Sequence, residues 1–182
     1  MKIKLENVRL AFPDLFDPTT FNGEGDPAFS ATFLMSPAHP DVEVIKAAIE
    51  QVGKDKWGEK WAVIKKTMEA TDKTALHDGN VKSSYAGFEG NLYISSRNKT
   101  RPLVIDKDKT PLVKSNGRPY GGCFVNASLE LWAQDNNFGK RINATLRGVQ
   151  FLRDGDAFSG GGAASDDEFD SVDDEDKDLD FV

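Results

Sequence analysis

Apolar residues alternate from the start of the chain, but their parity changes midway. Ile3 and Leu5 share one face, and Val8, Leu10 and Phe12 take the other. The pattern predicts a strand over 3–12 with a bulge near Glu6–Asn7, since one inserted residue moves every later side chain to the opposite face. Pro13, Asp14, Asp17, Pro18, Asn22, Gly23, Gly25 and Pro27 make the next stretch an expected turn-rich loop. Alternation resumes at Phe29, Ala31, Phe33 and Met35, a second strand that stops before Ser36-Pro37.

The middle of the chain changes period. Pro40-Asp41 can start a helix that places Val44, Ile45, Ala48, Ile49 and Val52 on one face. Beyond Gly53, Trp57, Trp61, Ile64 and Met68 fall at steps of four, three and four, which predicts a second amphipathic helix with both tryptophans in the core. Residues 71–90 carry Asp78-Gly79-Asn80 and two further glycines, and are expected to form an irregular loop. The two-residue period then returns in 91–97, 103–105, 123–134 and 141–153, with Asp135-Asn136-Asn137-Phe138-Gly139 as a hairpin turn between the last two. The expected fold is mainly β: an antiparallel core of five or slightly more strands with a helical insertion after strand two.

Charge changes the picture more than composition does. Residues 154–182 hold twelve carboxylates and one cation, Lys177, which leaves 18 acids and 22 bases in residues 1–153. A sequence pI near 4.9 thus conceals a basic body of net +4 joined to a tail of net −11. Ser159-Gly160-Gly161-Gly162-Ala163-Ala164-Ser165 has the composition of a flexible connector. The acidic run after it cannot bury enough surface to fold alone, so disorder is expected there. A basic body with an attached polyanion points to a nucleic-acid partner, because the tail can occupy the surface a phosphate backbone would fill.

Other classes lose ground. No run of about 18 apolar residues suggests a membrane span. The N-terminal residues lack a signal-peptide core, and one cysteine allows neither an internal disulfide nor a multi-cysteine zinc site. An intracellular protein is expected. Walker, G-x-G-x-x-G and G-x-S-x-G patterns are all missing. Asp106-Lys107-Asp108 and Asp154-Gly155-Asp156 have the character of turns rather than metal ligands, Cys123 sits on the apolar parity of its strand, and His39 and His77 have no evident partner. No catalytic role, cofactor or metal is expected.

The outward positions of the late strands suggest a binding surface. Tyr93, Ser95 and Arg97 share one face of 91–97; Phe124, Asn126, Ser128, Glu130 and Trp132 share one face of 123–134; Arg141, Asn143, Thr145 and Arg147 share one face of 141–147. The intervening loops add Lys99, Arg101, Lys114, Arg118 and Tyr120, and Lys140 lies in the last hairpin. Cations neutralise phosphates, and flat rings stack on bases that a duplex would hide, so this mixture suits single-stranded nucleic acid. Outward basic residues also serve plain solubility, and Trp132 and Phe124 are equally compatible with a place beneath the helical insertion.

Four strings carry a resemblance: Leu5–Phe12, Asn91–Pro102, Gly121–Ala133 and Ala144–Asp156. Together they resemble bacteriophage single-stranded DNA-binding proteins, a family long catalogued as a domain of unknown function and later seen to have an OB-fold. The resemblance implies an OB-fold barrel over residues 1–158 that coats exposed strands without strong sequence preference during phage DNA replication or recombination. It also implies an acidic C-terminal tail used for protein contacts; in this chain 159–182 supply the linker and that tail, and Asp176, Asp178, Asp180 and Phe181 are its candidate contacts with phage or host replication proteins. The cytoplasm of the infected bacterial host is the expected location; a homodimer or a cooperative assembly on DNA is compatible with the sequence, which does not fix the oligomeric state. The rival expectation is an assembly protein or DNA mimic whose acidic tail is the working part.

Overall fold

In a computed structural model of the chain, residues 1–21, 23–158 and 169–172 are described. The strands are β1 (Lys2–Phe21), β2 (Glu24–Met35), β3 (Leu76–Asp78), β4 (Leu92–Asn98), β5 (Leu103–Ile105), β6 (Phe124–Asn136) and β7 (Gly139–Arg153). Two helices, α1 (Pro40–Trp57) and α2 (Trp61–Ala70), follow β2. The strand order is β3-β4-β2-β1-β6-β7-β5, and a further pairing between β4 and β7 closes β1, β2, β4, β6 and β7 into a barrel. This is the mainly β barrel with a helical insertion after the second strand. Its pairings are antiparallel except for β4–β7 and β5–β7, which run parallel.

Sequence pattern explains most of the interior. Leu5, Val8 and Leu10 of β1, Phe33 of β2, Ile94 of β4, Leu129 and Leu131 of β6, and Ile142 and Leu146 of β7 are fully enclosed. The parity switch in β1 is a bulge: pairing with β6 slips between Leu5 and Val8, and Asn7 takes a positive φ of 55°. His39 fastens this bulge to α1. Its Nδ1 accepts the Asp41 amide at 3.0 Å, while its Nε2 lies 3.2 Å from the Asn7 carbonyl.

Several expectations are revised. Residues 13–21 and 24–28 are not a loop but the end of β1 and the start of β2, which pair irregularly as a projecting ribbon. Gly53 does not end the first helix, which continues to Trp57 and stops at Gly58 with φ 55°. The buried stripe of α1 contains Val42 rather than Val44, which is exposed. Residues 71–90 include β3, paired with β4, and a 3-10 turn at Gly79–Lys82. Phe12, expected in the core with Val8 and Leu10, is turned out to solvent. The anticipated disorder of the tail concerns residues that, except for 169–172, lie outside the described ones, as do Asp176, Asp178, Asp180 and Phe181.

Candidate nucleic-acid interface

β2 and β4 are the second and third strands of the barrel, and in OB-folds that face and its flanking loops bind oligonucleotides. Cross-strand pairing lays three rows across its outer side. Asp14, Ser30, Arg97 and Thr145 form one; Ala11, Thr32 and Ser95 form the next; Arg9, Leu34, Tyr93 and His77 form the third. In the middle row the exposed Ser95 hydroxyl lies 3.1 Å from that of the buried Thr32. At the first row a cleft of about 560 Å³ opens between the ribbon and the β4–β7 seam, lined by Glu24, Asp26, Arg97, Asn98, Lys99 and Thr145 among others.

The cations around the cleft differ in availability. The ribbon carries Asp14, Asp17, Glu24 and Asp26 with no basic residue, and it holds three of the expected contacts. Lys99 donates to Asp26 at 2.8 Å, Lys114 to Asp17 at 2.5 Å, and Arg101 to the Phe16 carbonyl at 3.1 Å. The Lys99 hydrogen bond holds the Asp26 carboxyl below its usual range. Arg97 is exposed and makes no ion pair among the described residues.

The remaining expected contacts are spread around the molecule. Trp132 is 44% exposed beside Asn143 on the outer face of β6–β7, which settles the choice against a site under the helices. Arg141 is exposed and makes no ion pair among the described residues, Lys140 lies 3.7 Å from Asp135, and Arg147 donates to Glu130 at 3.2 Å. Arg118 donates to Asp106 at 2.7 Å, which keeps that carboxyl low. The Tyr120 hydroxyl donates to Asp154 at 2.7 Å; burial and that carboxylate both push its ionisation up.

Tyr93 requires a correction. It is on the outward parity, but only 4% of it is exposed. Phe88 meets it edge-on at 5.2 Å and His77 stacks on it at 4.9 Å, so its ring is a floor and not a free stacking surface.

Phe88, which covers Tyr93, also belongs to an aromatic recess. Phe12, Pro13, Tyr85, Ala86, Phe88, Gly121 and Phe158 line a groove of about 250 Å³. The Phe12 ring stands 5.1 Å from Tyr85, edge to face, and 5.8 Å from Phe88. Arg9 lies 4.2 Å above the Phe158 ring and donates to the carbonyls of Gly122 and Asp156, fixing the 154–158 segment along one wall. Lys82 sits 5.1 Å over Tyr93.

A family model described as Enterobacter phage Enc34, ssDNA-binding protein, matches residues 1–182. The chain belongs to that family. It is 51% identical over 175 residues to "Putative protein p50" of Acyrthosiphon pisum secondary endosymbiont phage 1, covering 94% of each chain. Among solved structures it is similar to the single-stranded DNA-binding protein from bacteriophage Enc34 in complex with ssDNA, with a TM-score of 0.73 and 29% identity over 87% of this chain and 89% of that one. A C-terminal truncation of the same Enc34 protein gives a TM-score of 0.72 and 31% identity over 86% and 88%. The likeness to gp2.5 of bacteriophage T7, TM-score 0.58 at 12% identity over 90% and 98%, concerns the fold alone.

Family membership makes the OB-type face the natural place to look for contacts, and much of it was not legible in the chain. Phe12 belonged to a clean apolar alternation, and Lys82, Tyr85 and Phe88 to an apparent loop. The one available signal was the Ala-Phe-Pro sequence at 11–13, where a proline after an apolar run marks a break in strand pairing.

Proposed function

We propose that the chain is a single-stranded DNA-binding protein that coats strands without strong sequence preference, along the outer face of β2 and β4 and onward around the β4–β7 seam. The observation that carries this reading is Arg97: an exposed arginine, unpaired among the described residues, in a cleft on the barrel face that OB-folds use, beside the hydroxyl row of Thr32 and Ser95. Arg97 and Arg141 neutralise phosphates, Trp132 offers a stacking surface, and Lys99, Arg101 and Lys114 join once the ribbon yields them.

The acidic tail competes with DNA for this surface and, when displaced, contacts replication proteins through Asp176, Asp178, Asp180 and Phe181. Its support is the split between a body of +4 and a tail of −11. The protein works in phage DNA replication or recombination in the cytoplasm of the infected host, as a homodimer or cooperative assembly on DNA.

Anisotropy of a labelled poly-dT oligonucleotide at several salt concentrations tests the reading. A plot of log K against log salt should fall with a slope of about −0.7 for each phosphate neutralised; a flat plot rejects it. Truncation after Phe158 keeps the Asp154, Asp156 and Phe158 contacts to Tyr120, Arg9 and Gly121 intact. It should tighten binding at low salt, and unchanged affinity rejects tail competition.

A further inference from the structure

We infer that the aromatic recess is a base-binding site, in which one unpaired nucleobase of a bound strand stacks on one of the two exposed rings, Phe12 or Tyr85, and meets the other edge-on. The inference rests on the single-strand reading above and names a subsite that reading does not include.

Phe12 has φ 48°, in the left-handed region that a bulky residue adopts only under constraint. The register of β1 against β2 slips between Ala11 and Asp14, so Phe12 sits at a bulge that re-aims its side chain. Without the bulge, the alternation of Val8 and Leu10 would carry this ring inward. The fold instead leaves 53% of a phenylalanine in water.

Tyr85 is also half exposed and comes from a different element, the 79–91 segment delivered by the helical insertion. Hydrogen bonds from Gly79 to the Asn91 carbonyl and from Gly90 to Asn80 pin that segment at both ends. Phe88 buttresses both rings from below. Two exposed rings from distant parts of the chain thus share one rigid apolar floor.

The recess adjoins the hydroxyl row through Ala11, so a strand reaching Arg97 passes its edge. Lys82, 5.1 Å over the Tyr93 ring on which Phe88 packs, makes no ion pair among the described residues and can meet a phosphate. An apolar slot with aromatic walls, a cation nearby over Tyr93 and continuity with a polar, cationic groove matches a nucleobase attached to its phosphate. A duplex would keep that base paired and out of reach.

The test uses the full chain with Phe12→Asn, which tolerates the left-handed backbone, and separately Tyr85→Ala and Tyr85→Phe. Affinity is measured for a dT oligonucleotide and for one of equal length made of abasic sites. Phe12→Asn and Tyr85→Ala should each weaken dT binding roughly 5- to 150-fold with the salt slope unchanged, while Tyr85→Phe binds as the parent does. On the abasic strand all four proteins should bind alike. Equal dT affinity of parent and variants overturns the site, as does the same loss on the abasic strand. A parent that fails to bind dT rejects the single-strand reading itself. Tyr85 lies outside the barrel, so its variants report even if Phe12→Asn unfolds.

Discussion

A Cβ built on Gly53 would stand 2.3 Å from the Trp61 ring, so the glycine in the middle of α1 is a seat for the indole that begins α2. Trp61 is buried there, stacks on Trp57 at 5.7 Å and donates from Nε1 to Glu50 at 3.1 Å. Alanine is the better helix former by up to about 1 kcal/mol. Overpacking against a rigid ring costs roughly 1–3 kcal/mol. Gly53→Ala is therefore expected to lower stability by about 1 kcal/mol in a urea titration, against its helix propensity. A stabilised variant would show that the two helices separate freely.

Arg97 is exposed, so its replacement should leave the fold intact. Arg97→Gln is expected to weaken dT binding about equally for every sequence and to reduce the salt slope by about 0.7. An unchanged slope would place the strand elsewhere on the barrel.

The ribbon carboxylates occupy cations that phosphates would otherwise meet. The double variant Asp17→Asn, Asp26→Asn frees Lys114 and Lys99, and is expected to bind dT more tightly with a slope steeper by about 1.4. A Glu43→Gln, Glu59→Gln control removes the same charge from the helical insertion and separates local release from long-range attraction. Equal gains in both variants would mean that the ribbon pairs exert no specific competition.

Cys123 is fully buried, and burial pushes its thiol up to about 11. An unfolded cysteine ionises near 8.5, so unfolding releases a proton between those values and the thiol's contribution to stability falls as pH rises through that window. Iodoacetamide should leave the folded protein unmodified at pH 8 and label it readily in denaturant. Rapid labelling of the native protein would contradict the enclosed environment between Tyr120 and the barrel wall.

Local pattern determined a good deal by itself. Period-two alternation marked β2, β4, β6 and β7, the parity switch located the Asn7 bulge, and the period of about 3.6 found both helices. These signals survive in one dimension because one buried face forces a spacing on the residues that fill it. Charge counting likewise separated tail from body without any geometry. The ribbon escaped notice because its pairing is irregular and it buries little, so no alternation is imposed. The candidate site was half legible: outward arginines such as Arg97 follow from parity, but their ion pairs do not. Only the tertiary structure decided that Lys99 and Lys114 answer to the ribbon, that Tyr93 lies under Phe88, and that Phe12 leaves the core to meet Tyr85. Each of those outcomes joins residues from separate elements, and contacts between distant segments depend on barrel closure rather than on the order of residues along any one strand.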